Sequence, residues 1–202
     1  FTSSIRRPPA GAGEERAGPV NEGATALVVG YGRFGQTVAQ ALAAGEIGLT
    51  VIDSDVNQID VAREFGATVY FGDGTRMDLL RQAGAAEAEA ILFCIDGDQI
   101  DAHLLREVHE AFPDALVYIR VFDRRSVMKI DPGKKDVVVR EVYESAIVMA
   151  KEALRGLGSS EQLIENAIDD YRKADEERLV LQREAGDLRA GIDRMFVPDP
   201  RG

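Results

Sequence analysis

Six short apolar runs punctuate the chain, at residues 24–29, 49–52, 68–71, 90–95, 115–121 and 137–139. Each is nearly continuous rather than alternating, as strands covered on both faces are. Between them, apolar residues step by three and four: Val38, Leu42 and Ala43; Ile59, Val61 and Ala62; Leu79, Leu80 and Ala83; Leu104, Leu105, Val108 and Phe112. That is the spacing of helices with one buried face. Gly45, Gly66 and Gly84 fall where three of these helices should stop. Strand and helix in alternation predict an α/β fold with a doubly wound, mainly parallel sheet.

The ends of the chain read differently. Residues 1–22 are interrupted by Pro8, Pro9, Gly11, Gly13, Gly18 and Pro19 and carry no periodicity, which predicts a flexible linker. Residues 23–140 make the α/β domain, and 141–202 a crossover and C-terminal helical dimerisation segment. Within the latter, a helix is expected over 142–157, ending at Gly158. A second, highly charged one starts from Ser160 as N-cap, with Glu161 and Glu165 in its first turns. Ile164, Ile168, Tyr171, Arg178, Leu181, Ala185, Leu188, Ile192 and Met195 follow a heptad-type seam, imperfect at Asp175 and Arg178 and weakened by Gly186 and Gly191. The seam fits either a dimer-forming coil or a helix packed on its own domain.

The residues with chemical content cluster after the first three strands. Gly30-Tyr31-Gly32-Arg33-Phe34-Gly35 matches G-x-G-x-x-G, directly after a strand and opening a helix, and makes the α/β domain Rossmann-type. Gly30 permits the tight turn, Gly32 lets backbone approach a pyrophosphate, and Gly35 lets helix and strand pack closely. The helix N-terminus then faces the phosphates, with Arg33 available as a direct charge. Asp53, at the end of the second strand, is placed to accept from ribose hydroxyls and to repel a 2′-phosphate, which favours NAD-type or simple adenine nucleotides over NADP. Asp55 either shares that work or caps the next helix. After the third strand comes Gly72-Asp73-Gly74-Thr75-Arg76: Asp73 is suited to the adenine amino group, and Thr75 to capping the helix through Leu80. Asp96 and Asp98, after the fourth strand, either line the same crevice or form an acidic turn.

Composition narrows the remaining options. A net charge of −11 argues against a nucleic-acid partner, which wants a basic face, and against an anionic membrane surface. The one cysteine, Cys94, ends an apolar run and reads as a core residue, consistent with a reducing compartment. No run approaches the length of a membrane-spanning helix. The chain opens on Phe1 rather than Met, which suggests a piece of a longer protein. His103 and His109 are six residues apart, the wrong spacing for one metal-binding helix face. No Ser, His and carboxylate set has a recognisable context, and the chain beyond the glycine motif leaves no room for a substrate domain. An enzyme is therefore not expected.

The run from Gly30 to Gln36 resembles the regulator-of-potassium-conductance (RCK) domains, also called Trk nucleotide-binding or TrkA-N domains. Val51-Ile52-Asp53-Ser54-Asp55 looks like their second strand, and Gly72 through Leu80 like their third, with the match continuing in Ala83-Gly84-Ala85-Ala86-Glu87-Ala88. The wording is closest to the cytosolic domain of Kef potassium/proton antiporters, over about residues 24–158. The resemblance implies a cytoplasmic domain of an inner (plasma) membrane transporter, with the transmembrane antiporter domain in the same full-length chain. It implies a homodimer, and an adenine nucleotide (AMP, or NAD(H)/ATP) held as a structural ligand by Gly30, Gly32, Arg33, Phe34, Gly35, Asp53, Ser54, Asp55, Asp73, Gly74, Thr75, Arg76 and Asp96. Ligand-dependent rearrangement of the dimer would control potassium efflux. In Kef proteins glutathione is held by two arginines and an asparagine, which a gap-free comparison places at Gln40, Arg140 and Asp175. Arg140 matches, as does Phe65, the aromatic assigned to sensing that ligand. Gln40 and Asp175 do not, so the resemblance implies glutathione control that is weak or absent. The competing readings are a truncated NAD-dependent oxidoreductase and a free-standing nucleotide sensor.

Overall fold

The structure, a computed structural model, describes residues 25–96 and 99–192; the expected linker lies outside them. Every expected run holds a strand. β1 (Thr25–Val29), β2 (Gly48–Asp53), β3 (Thr68–Phe71), β4 (Ala90–Phe93), β5 (Leu116–Val121) and β6 (Val137–Arg140) form one sheet in the order β3-β2-β1-β4-β5-β6. β1 pairs in parallel with β2 and β4, β2 with β3, and β4 with β5. Sheet position explains the unbroken hydrophobicity of β1. It lies between two partners with both faces covered, and Val28 and Val29 are fully buried.

The expected helices are all present: α1 (Arg33–Ala44), α2 (Val56–Glu64), α3 (Met77–Gln82) and α4 (Ala102–Ala111). Ala39 of α1 and Ile59 and Ala62 of α2 pack with Val28, Val51, Val69 and Leu92 of the sheet. Two differences appear further on. A one-turn helix, α5 (Arg124–Val127), comes after β5 and is capped by Asp123, which accepts from the Ser126 N–H at 3.0 Å. It is too short to leave a periodic signature.

The chain divides into two compact units, the first comprising 25–119 with 132–137 and the second 120–131 with 138 onward. In the first, Asp136 accepts from the Gly133 N–H at 2.6 Å and lies 3.0 Å from Nε2 of His109 on α4. The second is built on α6 (Glu141–Gly156) and α7 (Glu161–Ala185). Ser160 caps α7 as expected, accepting from Leu163. Ile164 and Ile168 of α7 bury against Ile147 of α6, with Tyr143 and Leu154 beside them. Tyr143 stacks on Tyr171 at 6.0 Å, and Arg172 donates to both oxygens of Glu144 at 2.8 and 3.1 Å.

The expected seam does not persist as one helix. Gly186 takes a left-handed conformation (φ 63°) and ends α7. The chain then folds back, Gln182 donating to the Leu188 carbonyl at 2.6 Å, and Gly191 lies against Arg178 and Leu181. The first turns of the seam thus serve α6–α7 packing inside the unit. Met195 lies outside the described residues.

Candidate functional site

Strand order reverses direction at β1, between β2 on one side and β4 on the other, and a doubly wound sheet opens a crevice at such a point, at the carboxyl ends of its strands. A cleft of about 300 Å³ lies there, lined by residues that include Gly30, Asp53, Ser54, Asp73, Gly74, Ile95 and Gln99.

The glycine motif behaves as its chemistry requires. Gly30 sits at φ 93°, where only glycine is unstrained, and its N–H donates to the Ile52 carbonyl at 2.8 Å. At Gly35 an added Cβ would lie 1.9 Å from the Gly30 carbonyl oxygen, so the start of α1 presses directly on the turn. At Gly32, the N-cap of α1, an added Cβ would meet no non-neighbouring atom within 4 Å. No protein atom demands glycine there, and the open space is what an approaching phosphate needs. Arg33 is exposed at the same helix end, and Phe34 is half-buried against the sheet core.

Asp53 is the organising side chain. One oxygen accepts from the Tyr31 N–H at 2.5 Å, the other from the Asp55 N–H at 2.7 Å. Its carboxylate thereby ties the glycine turn to the end of β2, with lone pairs left for a ribose. Burial of the Tyr31 ring, 2% exposed, pushes its phenol above the usual value and anchors the turn from below. Asp55 caps α2, accepting from the Asn57 N–H at 2.9 Å and its side-chain amide at 3.0 Å. Ser54 lines the cleft beside Asp53.

After β3, Asp73 accepts from both the N–H (2.9 Å) and the hydroxyl (2.7 Å) of Thr75. Thr75 therefore does not cap the next helix: α3 starts at Met77, with Arg76 at its N-cap and no side-chain cap bond. The Thr75 N–H closes an Asx-type turn and its hydroxyl adds a second bond to the same Asp73 oxygen. Arg76 turns to Asp78, donating at 2.5 and 3.1 Å, and is not among the cleft-lining residues. Beyond β4 the wall is made by Ile95 and Gln99 rather than Asp96, whose carbonyl accepts from the Gln99 N–H. Ile95 closes an apolar run and could have been read as a wall; Gln99 carried no signal. Asp98 lies outside the described residues.

A second concentration of charge lies in the other unit. Asp175, 2% exposed, pairs with Arg124 and Arg140 and, at 3.2 Å, with Arg178, while Gln182 accepts from Arg124 at 2.9 Å. The Arg140 guanidinium also lies 3.8 Å from the centre of the Tyr143 ring. Burial pulls Arg124 below the usual guanidinium value, with repulsion from Arg178 and Arg140 acting the same way, and burial likewise lowers Arg140. Phe65, at the C-cap of α2, is 63% exposed in the first unit.

A sheet of this order, a glycine turn after β1 and an acidic residue closing β2 define a Rossmann-type domain. The TrkA-N domain model matches residues 26–141, and the chain belongs to that family. A glutathione-regulated potassium-efflux system protein of Haemophilus influenzae is 37% identical over 174 residues, 86% of this chain and 28% of that protein. KefC of Escherichia coli (strain HS) is 33% identical over 147 residues, 73% of this chain and 24% of that protein. The chain thus spans about a quarter of the curated relatives it matches. Among solved structures, the Shewanella denitrificans Kef CTD in its AMP-bound form superimposes with a TM-score of 0.64 at 29% identity, covering 80% of this chain and 99% of that one. The TrkA-N domain of Escherichia coli inner membrane protein YbaL, at TM-score 0.55 and 24% identity over 64% of this chain and 96% of that one, shares the fold. No described helix is long and apolar enough to cross a membrane.

Proposed function

We propose that this chain is the nucleotide-binding regulatory domain of a potassium/proton antiporter, that an adenine nucleotide occupies the cleft without being turned over, and that the domain works as a homodimer on the cytoplasmic face of the membrane. The observation that carries the reading is the cleft itself: Asp53 held by two backbone N–H groups beside a glycine whose Cβ position is empty. The AMP-bound Kef structure supports adenine nucleotide as the class of ligand. The nucleotide is a structural ligand, and regulation is a shift between dimer arrangements that ligand biases.

The dimer reading rests on α6. Val142, Ala146, Met149, Ala150, Ala153 and Leu157 fall on one exposed face with no charge on it, Met149 at 75% and Leu157 at 84% exposure. Glutathione is at most a weak ligand here. Arg140 is already committed to Asp175 and stacked on Tyr143, and Gln40 offers no charge to an anion.

Calorimetric titration with AMP, ATP, NADH and NADP tests the cleft: saturable binding of the first three, weaker for NADP, is expected. No heat at millimolar AMP, ATP and NADH would refute it, and turnover of NADH with small carbonyls would replace it with an oxidoreductase. A parallel titration with glutathione should show no saturable micromolar binding.

A further inference from the structure

One polar side chain beside the cleft is committed to the glycine turn rather than to the cleft lining. Gln36, the fourth residue of α1, lies one turn past the phosphate-facing turn. Its Nε2 donates to the Tyr31 carbonyl at 3.1 Å and to Oε1 of Gln58, on α2, at 2.7 Å. The Tyr31 carbonyl can only accept, so the amide nitrogen, not its oxygen, must face the turn. Gln58 then presents its own oxygen and holds the Gln36 amide in that sense.

Peptide geometry supplies the consequence. In a trans peptide the carbonyl and the next N–H point in opposite directions. With the Tyr31 carbonyl bound by Gln36, the Gly32 N–H points away from Gln36, and among the described residues it finds no acceptor. It does so at the residue whose Cβ position is empty. The preceding peptide is fixed as well, because the Tyr31 N–H donates to Asp53. Gln36 and Asp53 thus clamp the two peptide planes that flank Tyr31, one from each side.

We propose that Gln36, locked by Gln58, is a positioning residue for the nucleotide's 5′-phosphate: it pre-orients the Gly32 N–H as a phosphate donor and leaves the base and ribose contacts to the rest of the cleft. This rests on the nucleotide reading above. Without the clamp the peptide rotates, and the bound state must pay to reorder it.

The test compares a ligand that has the phosphate with one that lacks it, by calorimetry of the whole chain with AMP and adenosine. For Gln36→Leu the AMP affinity should fall about five- to tenfold while adenosine binding stays at the wild-type level, the loss expected for one positioned hydrogen bond. Gln58→Leu should give a smaller fall of the same kind. Gln58→Glu keeps the acceptor and, in salt high enough to screen its added charge from the phosphate, should keep the wild-type ratio of AMP to adenosine affinity. Equal losses for both ligands in Gln36→Leu, or an unchanged ratio in both leucine variants, would overturn the proposal and leave the nucleotide reading standing. Wild type binding neither ligand would overturn both. Gln58, like Gln36, is half-buried, and its variants leave the Gln36 contact to the turn in place, so they decide the matter even where Gln36→Leu folds poorly.

Discussion

In the proposed reading Asp53 serves structure and ligand together. Its two backbone hydrogen bonds join the glycine turn to the end of β2, so replacing it loosens the turn as well as removing the ribose acceptor. Asp53→Ala should lower AMP affinity by about 1.5–3 kcal/mol, ten- to a hundredfold, measured by calorimetry. A second residue-scale effect lies outside the site. Gly45 closes α1 with φ −86°, yet the left-handed position falls on exposed Glu46, at φ 64°. Glu46→Gly should therefore stabilise the fold by about 0.5–1 kcal/mol, read from its urea midpoint. Gly30 and Gly35 were legible in the sequence because a turn and a close approach each demand glycine. Asp55 and Thr75 were less so, since an oxygen that caps a helix or closes a turn is chemically the same as one that holds a ligand. Gln36 and Gln58 were not legible at all: their meaning lies in a pairing across 22 residues.

At the scale of elements, the strands of the sheet declared themselves because burial on both faces leaves continuous apolar runs. Helices with one buried face did so through their period. What failed were features that periodicity does not carry. α5 is a single turn fixed by the Asp123 cap, and the heptad seam beyond Ile168 is cut by the left-handed Gly186, after which the chain doubles back on α7. The α6–α7 pair carries a pH signature. The hydrogen bonds from Arg172, chiefly, hold Glu144 below its ordinary value of 4.5. A depressed carboxyl contributes stability that is present above the unfolded value and lost as pH falls through the folded one. The difference in urea midpoint between wild type and Glu144→Gln should be constant above pH 4.5 and close below it. It should also shrink with salt, because both side chains are more than two-fifths exposed.

For the molecule as a whole, the acidic balance of the chain hid a local excess of the opposite sign. Asp175 pairs with Arg124, Arg140 and Arg178, so Asp175→Ala would leave three guanidinium groups without the counter-charge they share. A loss of about 3–5 kcal/mol is expected in chemical denaturation. The charge-free face of α6 makes a second prediction at this scale: Met149→Glu should convert a dimer to a monomer in sedimentation while leaving helix content unchanged. The three crossings of the chain between its two units bear on how such a domain can be recombined with its relatives. Residues 120–131 bond onward, Arg124 to Asp175 and Gln182, the Val127 carbonyl to Arg183, and the Phe122 carbonyl to the Val142 N–H. A chimaera spliced at Arg140 would take these partners from different parents. One spliced ahead of Arg120 would keep them together but part Asp136 from His109. A single splice at any of the three crossings therefore breaks up a matched set inside one unit, and only an exchange that carries both segments of a unit together keeps its bonds whole.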